Sequence, residues 1–560
     1  MKKEKPELKN LGRLITLISL GLIFFLIACS ENKNNNTLII FKDGPKETGL
    51  SFAVNIADSL SNEAVTGRMF VMISRNNNRE PRMQVGRTGT PFWGVDVEGL
   101  KPGESAIFDG KAFGSPLESI AEIPAGDYYV QAMFNKYTKF ERSDGHVVWM
   151  HKDQWEGQSW KRSPGNMFSK VIKVHIDPDT NNQIDIQLTE VIAEVKMPED
   201  TEYVKHIRIK SELLSEFWGQ PMYIGATILL PKGYDTHPNV SYPTVHYQGH
   251  FSTSSPFSFG RGREFDETWL GLNFPRFIAI KLQHPCPYFD DSYAVNSPAC
   301  GPFGDAIHQE LIPEIENQFR CISESYARVL TGGSTGGWIS FALQVLYPDF
   351  YGGTWSFAPD PLHFNNVEGI DVYKDKNAYY KIHEWRTVPT PNTIVPSTGL
   401  ISLTSRQRNY YELAMGTKGR SGGQLDIWSA VFGPLGDDGY FKPLFDKLTG
   451  EIDPEVAQYW GEHYDMRNYL EQNWEKIGHD LVGKLHVFCG DRDNYQLNFG
   501  AYETEKFLET TRDPYYAGSF TWGARGGHGF RPMSSEQMLL MMAQHILKNT
   551  PPGGKKDWMY

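Results

Sequence analysis

The periodicity of the chain changes near residue 194, and that change limits the folds open to it. Beyond this point short apolar runs alternate with helical stretches. Gly225-Ala226-Thr227-Ile228-Leu229-Leu230-Pro231 reads as a strand stopped by proline. Pro243-Thr244-Val245-His246-Tyr247 and Phe277-Ile278-Ala279-Ile280 read as two more. Ile307, Leu311, Ile315 and Phe319 then recur every four residues, which puts them on one helix face and leaves His308 and Gln309 off it. The strand Arg328-Val329-Leu330 follows, then a helical stretch from Trp338 to Leu346 that ends before Pro348. Strands alternating with helices predict an α/β fold with a mostly parallel sheet, because parallel neighbours need crossover connections.

The preceding region, 37–193, reads as strands without helices. Gln183-Ile184-Asp185-Ile186-Gln187-Leu188 alternates with period two, and Gly67 to Ile73 and Asp127 to Phe134 are short apolar-aromatic runs. Turn residues such as Pro124-Ala125-Gly126 separate such runs, so this part is expected to be an all-β, sandwich-like domain. It contains no catalytic cluster. Its expected role is structural, with carbohydrate binding as the alternative. The 13% aromatic content suits large cores as readily as a ring-stacking ligand.

The first residues read as an export signal. Basic residues run to Arg13, an apolar stretch spans Leu14 to Ile27, and Leu26-Ile27-Ala28-Cys29 resembles a bacterial lipobox. The apolar stretch is shorter than the roughly 20 residues that span a bilayer. The expectation is a signal peptide over 1–28, lipidation of Cys29, and a polar tether over 29–36. By its resemblance to lipoprotein sorting signals, Ser30 after the cysteine implies an outer-membrane lipoprotein, periplasmic or surface-facing, with the lipid anchor as its sole membrane contact. The 28 signal residues carry five basic and two acidic groups, so the net charge of −12 becomes −15 without them. An acidic chain with no basic stripe is not expected to bind nucleic acid.

Four further cysteines, Cys286, Cys300, Cys321 and Cys489, show no metal-ligand spacing. Cys286 and Cys300 flank a loop rich in Pro, Asp and Ser; a disulfide and two buried thiols are both open. Cys489 lies in an apolar strand and reads as core.

The chemistry concentrates at Gly332-Gly333-Ser334-Thr335-Gly336, which fits G-x-S-x-G. A chain of this length and composition produces about 0.3 such strings by chance. Its position between an apolar strand and a helix is what a nucleophile elbow requires. A neutral serine hydroxyl needs a base. His528, in Arg525-Gly526-Gly527-His528-Gly529-Phe530, follows a strand and precedes a helix over 537–547. The histidine in turn needs an acid. Asp493 follows the strand 485–489, and the order Ser334, Asp493, His528 is that of α/β-hydrolases. Asp491 and Asp360 are the competing acids. Backbone N–H groups of Thr335 and His250 are the expected oxyanion donors.

These residues resemble the esterase D-like branch of the α/β-hydrolases, which includes feruloyl, acetyl-xylan and siderophore esterases. The resemblance rests on Tyr242-Pro243-Thr244-Val245, Glu310-Leu311-Ile312-Pro313, Gly332 to Gly337, and Tyr347-Pro348-Asp349-Phe350. It spans about 195–365 and 480–550. It implies a Ser-Asp-His triad, no metal and no cofactor, and hydrolysis of a small-molecule or saccharide-linked ester through an acyl-enzyme. The chain departs from the family at Gln248-Gly249-His250, where His-Gly is usual, and in a long segment between Asp360 and Lys484. The hydrolase domain is thus expected over 194–550 with an insertion at about 361–483. The insertion is rich in aromatics (Trp428, Tyr440, Phe441, Trp460, Tyr464) and is expected to act as a cap. A peptidase of the same fold and a catalytically silent, lipid-anchored binding protein are the alternative functions.

Overall fold

The computed structural model describes residues 46–157 and 159–560. The expected signal peptide, Cys29 and the expected tether lie outside the described residues. Residues 47–560 form one compact unit. No helix among the described residues is long and apolar enough to cross a membrane.

The first part, from Leu50 to Val191, folds into one nine-stranded sheet and a separate two-stranded hairpin, Thr138–Glu141 with Val147–Met150. Its pairings are antiparallel except that Leu50–Ile56 runs parallel to Asn182–Val191. The period-two pattern holds in Asn182–Val191, where Ile184, Ile186 and Leu188 are buried and the residues between them exposed. Two short helical turns interrupt the strands, at Pro81–Gln84 and Ile120–Glu122. The expectation of strands alone missed them because a single turn is too short to show a period.

Both faces of this sheet are covered. One carries its own core of Phe52, Val54, Met69, Val71 and Trp93. Phe70, Met72, Phe92 and Met133 instead pack with Phe289, Tyr411, Ala414 and Met415 from the second part of the chain. Burying such large apolar side chains stabilises by about 1.5–3 kcal/mol each. The Arg68 guanidinium adds hydrogen bonds to the Ala414 carbonyl at 3.0 and 2.9 Å.

The second part is built on an eight-stranded sheet: β1 (Val204–Ser211), β2 (Met222–Leu229), β3 (Thr244–Gln248), β4 (Ile278–Gln283), β5 (Arg328–Gly333), β6 (Gly353–Phe357), β7 (Leu485–Gly490) and β8 (Ser519–Gly523). The spatial order is β1-β2-β4-β3-β5-β6-β7-β8. β1 and β2 are antiparallel to their neighbours, and β4, β3 and β5 to β8 run parallel. The expected strands therefore belong to one mostly parallel sheet, and their C-terminal ends lie along one edge, where such sheets place their ligands.

Helix α1 (Thr335–Leu346) follows β5 and is buried along almost its whole length, as its apolar composition demands. The expected helix through Phe319 is less regular. It runs as Phe303–Ala306, a wider turn over Ile307–Leu311, and Ile312–Gln318, with Phe319 extended beyond the end. Pro313 accounts for the break, because it has no N–H to donate back into the preceding turn. Cys286 and Cys300 are buried thiols and do not form a disulfide with each other.

Between β6 and β7 lie two short hairpins and four helices, including α2 (Ser405–Met415) and α3 (Gln424–Phe432). A capping box of Thr404 and Gln407 starts α2. Tyr411, Ala414 and Met415 of α2 face the N-terminal sheet. Ile427, Trp428, Val431 and Phe432 of α3 join the core around the eight-stranded sheet.

Candidate active site

Ser334 sits at the junction of β5 and α1 with φ 58° and ψ −123°. This backbone region costs about 1–3 kcal/mol for a non-glycine residue and persists only where the surroundings hold it. Here the Ser334 N–H donates to the Phe357 carbonyl at 2.9 Å, and its own carbonyl accepts from Trp338 at 3.0 Å. Gly336 allows the sharp turn: a Cβ there would stand 2.2 Å from the Gln248 carbonyl oxygen and 2.8 Å from the Gly249 nitrogen. The elbow is thus pressed against the end of β3, beside His250. The N–H groups of the first turn of α1, Thr335 among them, have no helical acceptor. The Phe251 N–H is committed to Asp291 Oδ2 at 2.7 Å. Thr335 and His250, the two residues expected to supply oxyanion donors, are neighbours, with Thr335 Oγ1 3.4 Å from His250 Nε2.

Asp493 and His528 come from the loops after β7 and β8. His528 Nδ1 lies 2.8 Å from Asp493 Oδ2, with the carboxylate fully buried and the imidazole 24% exposed. Backbone bonds stitch the two loops together. Arg492 N–H donates to the Gly526 carbonyl at 2.9 Å, and His528 N–H to Asn494 Oδ1 at 2.9 Å. Tyr495 sets its ring edge-on to the imidazole at 4.9 Å. Of the competing acids, Asp491 follows β7 but does not bond the imidazole, and its N–H is held by the Gly523 carbonyl at 3.0 Å.

Asp360 has another place. It lies just beyond β6, is 3% exposed, and accepts from the Ser334 hydroxyl at 3.3 Å through Oδ1. Its Oδ2 accepts from Tyr293 at 2.6 Å, Thr335 at 3.1 Å, Trp428 Nε1 at 3.2 Å and Gln424 Nε2 at 3.3 Å. Burial pushes its carboxyl above the usual range; the Tyr293 hydrogen bond and the charges of His250 and His528 pull the other way. In this structure, therefore, the Ser334 hydroxyl is turned to Asp360 rather than to His528. Hydrogen bonds of a reacting serine are often loose before substrate arrives.

Sequence reading missed Tyr293 and Gln424, and named Trp428 only as one of the aromatics of the expected cap, not as a partner of Asp360. Tyr293 lies in a loop of irregular path with φ 58°, and the other two lie in the insertion. No local pattern marks them, since their function is a contact across 64 to 135 residues of chain. A separate group, His151, Asp153 and Glu156, brings three potential metal-ligand atoms within 4.8 Å of one another. Glu156 there already accepts from His151 at 2.7 Å, Ser163 at 2.9 Å and the Gln154 N–H at 2.8 Å.

Residues 221–367, about a quarter of the chain, match the family model described as "Putative esterase". Strand order, elbow and this match define an enzyme of the α/β-hydrolase fold and the esterase class. The matched segment includes Ser334 and Asp360 and stops short of Asp493 and His528. No curated protein matches the chain. Among solved structures, a ferulic acid esterase is 14% identical, with 61% of this chain and 99% of that one covered and a TM-score of 0.37. An S-formylglutathione hydrolase from Agrobacterium tumefaciens is 12% identical, with 63% and 97% covered and a TM-score of 0.33. A ferulic acid esterase from the anaerobic fungus Anaeromyces mucronatus is 16% identical, with 63% and 95% covered and a TM-score of 0.29. At such values the fold assignment rests on the strand order and elbow of this chain itself.

Proposed function

We propose that the protein hydrolyses a carboxylic ester through an acyl-enzyme on Ser334, with His528 as base and Asp493 as its acid. The observation that carries this reading is the 2.8 Å contact between His528 Nδ1 and the buried Asp493, on the same sheet edge as the elbow. In this reading the Ser334 hydroxyl leaves Asp360 and donates to His528 Nε2. His528 takes the serine proton as Ser334 Oγ bonds the ester carbon. The oxyanion is held by the Thr335 and His250 N–H groups. The same proton then passes to the departing alcohol. Water repeats the sequence on the acyl-serine: His528 takes its proton and returns it to Ser334, and the acid leaves.

Replacing Ser334 by Ala is expected to lower turnover of para-nitrophenyl butyrate by about 10⁴-fold or more. A variant as active as the parent would overturn the assignment. Export and lipidation at Cys29 form the second part of the reading, supported by the basic, apolar and small-Cys sequence of residues 1–29. A Cys29→Ala chain is expected to leave the membrane fraction; its retention there would reject the anchor. The insertion is read as the cap of the site, because Gln424 and Trp428 reach the group beside Ser334.

A further inference from the structure

A cavity of about 360 Å³ has walls that come from three parts of the chain. The N-terminal region supplies Arg87 and Lys161, the hydrolase core His250 and Phe289, and the insertion Tyr411 and Gln424. His250 and Gln424 tie the cavity to the reaction centre, since their Nε2 atoms lie 3.4 and 3.3 Å from Thr335 Oγ1, one residue from Ser334.

The charge of this cavity is one-sided. Arg87, Lys161 and Arg408 line it, and no carboxylate does. Arg408 is answered from behind by Glu412 at 3.1 Å, within a group of two cations and two anions completed by Lys447 and Asp426. Arg87 and Lys161 enter no ion pair among the described residues; Lys161 donates to the Val85 carbonyl. Glu368 is close enough to feel Arg87, but burial pushes its carboxyl up to about 8, so at pH 7 it is mainly protonated and leaves that charge uncancelled. Burial, with the charges of Arg79 and Arg162, draws the Lys161 ammonium down to about 8, still mainly charged at pH 7. Two unanswered cations in a concave, partly apolar site focus a positive potential, in a chain whose net charge is −12. The rings of Phe289 and Tyr411 offer the apolar wall against which a ligand body packs.

We propose that this cleft is the substrate site and that it selects esters carrying a negative charge, with Arg87 and Lys161 as the groups that pair with that charge. The proposal rests on the esterase reading of Ser334. It also gives the N-terminal region a part in recognition, since that region supplies both cations.

The test compares three chromogenic esters: neutral para-nitrophenyl butyrate, para-nitrophenyl hydrogen glutarate with a carboxylate on the acyl side, and the butyrate ester of a carboxylated para-nitrophenol. At low ionic strength at least one anionic ester is expected to exceed the neutral one in kcat/KM by about tenfold or more, mainly through KM. Added salt should shrink that ratio. The double variant Arg87→Gln, Lys161→Gln is expected to lower the ratio by about tenfold or more. Lys173→Gln, which removes an equal charge from an exposed strand, should leave it in place. Turnover of the neutral ester with no anionic preference overturns the substrate class and leaves the esterase reading standing. So does a preference that survives both salt and the double variant. The salt response of the parent protein decides the matter even if the variants do not fold. Turnover of none of the three esters overturns the esterase reading, and this proposal with it.

Discussion

Ser334 and Asp360 are bonded twice: the serine hydroxyl donates to Asp360 Oδ1 at 3.3 Å, and the Asp360 N–H donates to the Ser334 carbonyl at 3.3 Å. The second bond helps hold the strained elbow, and the first sets the hydroxyl toward Asp360. Asp360 also gathers Tyr293, Thr335, Gln424 and Trp428 around one oxygen.

Those partners make Asp360 hard to replace by its amide. Trp428 Nε1 can only donate, and an Asn side chain would set donors against donors at one of its two positions. Asp360→Asn is expected to lower stability by about 1–3 kcal/mol, read by thermal or denaturant unfolding. An unchanged transition midpoint would show that the hydrogen-bonded group contributes little.

Asp493 and Asp491 are separated by one residue, and the imidazole bonds only the first. Asp493→Asn keeps the shape but removes the charge that holds the Nδ1 tautomer. Its kcat on an activated ester is expected to fall about 10³–10⁴-fold. Asp491→Asn should stay within about tenfold of the parent, since a side chain that does not touch the imidazole cannot set its tautomer. Reversed effects would transfer the acid role to Asp491.

Gly490 brings the acid loop against the histidine loop. A Cβ at this position would stand 2.2 Å from the Gly526 carbonyl oxygen and 2.5 Å from its carbon, both backbone atoms. Gly490→Ala must therefore part the loops that carry Asp493 and His528. The expected result is a loss of about 10²-fold in kcat/KM from the displaced geometry, with about 1–3 kcal/mol of stability lost to the overpacked contact. A fully active variant would mean that the two loops need not be in register.

Glu368 supplies a pH dependence of known sign. Its carboxyl is raised from an ordinary 4.5 to about 8, first by burial, against the Asn392 hydrogen bond and the Arg87 charge. Protonation is favoured in the folded state, so this contribution to stability is complete below about 4.5 and is lost as pH rises toward 8. Glu368→Gln stays neutral throughout. Its stability is expected to match the parent's near pH 4.5 and to exceed it increasingly up to pH 8, by at most about 1.4 kcal/mol per pH unit. Parallel stability profiles for the two chains would place a charged, compensated carboxylate at this position instead.

Much of the second part of the protein was legible because its signals are local. The apolar runs at 225–231, 243–247, 277–280 and 328–330 are four of the eight strands, within a few residues at their ends. The run Val329-Leu330, the glycines around Ser334 and the apolar stretch to Leu346 specify strand, turn and helix from neighbours alone. The order of Ser334, Asp493 and His528 was legible for the same reason, each residue standing just after its own strand.

What tertiary structure decided are the contacts between segments that have no pattern in common. It chose Asp493 over Asp491 as the imidazole's partner, because two residues of loop change which side chain faces the neighbouring loop. It gave Asp360 its place beneath Ser334, with Tyr293, Gln424 and Trp428 drawn from a loop and an insertion. It joined Arg87 and Lys161, from two turns of the N-terminal region, to a cleft whose other walls lie more than 80 residues away in sequence. Periodicity reports which face of an element is buried; it does not report which distant face covers it, since that is settled by the packing of the whole chain.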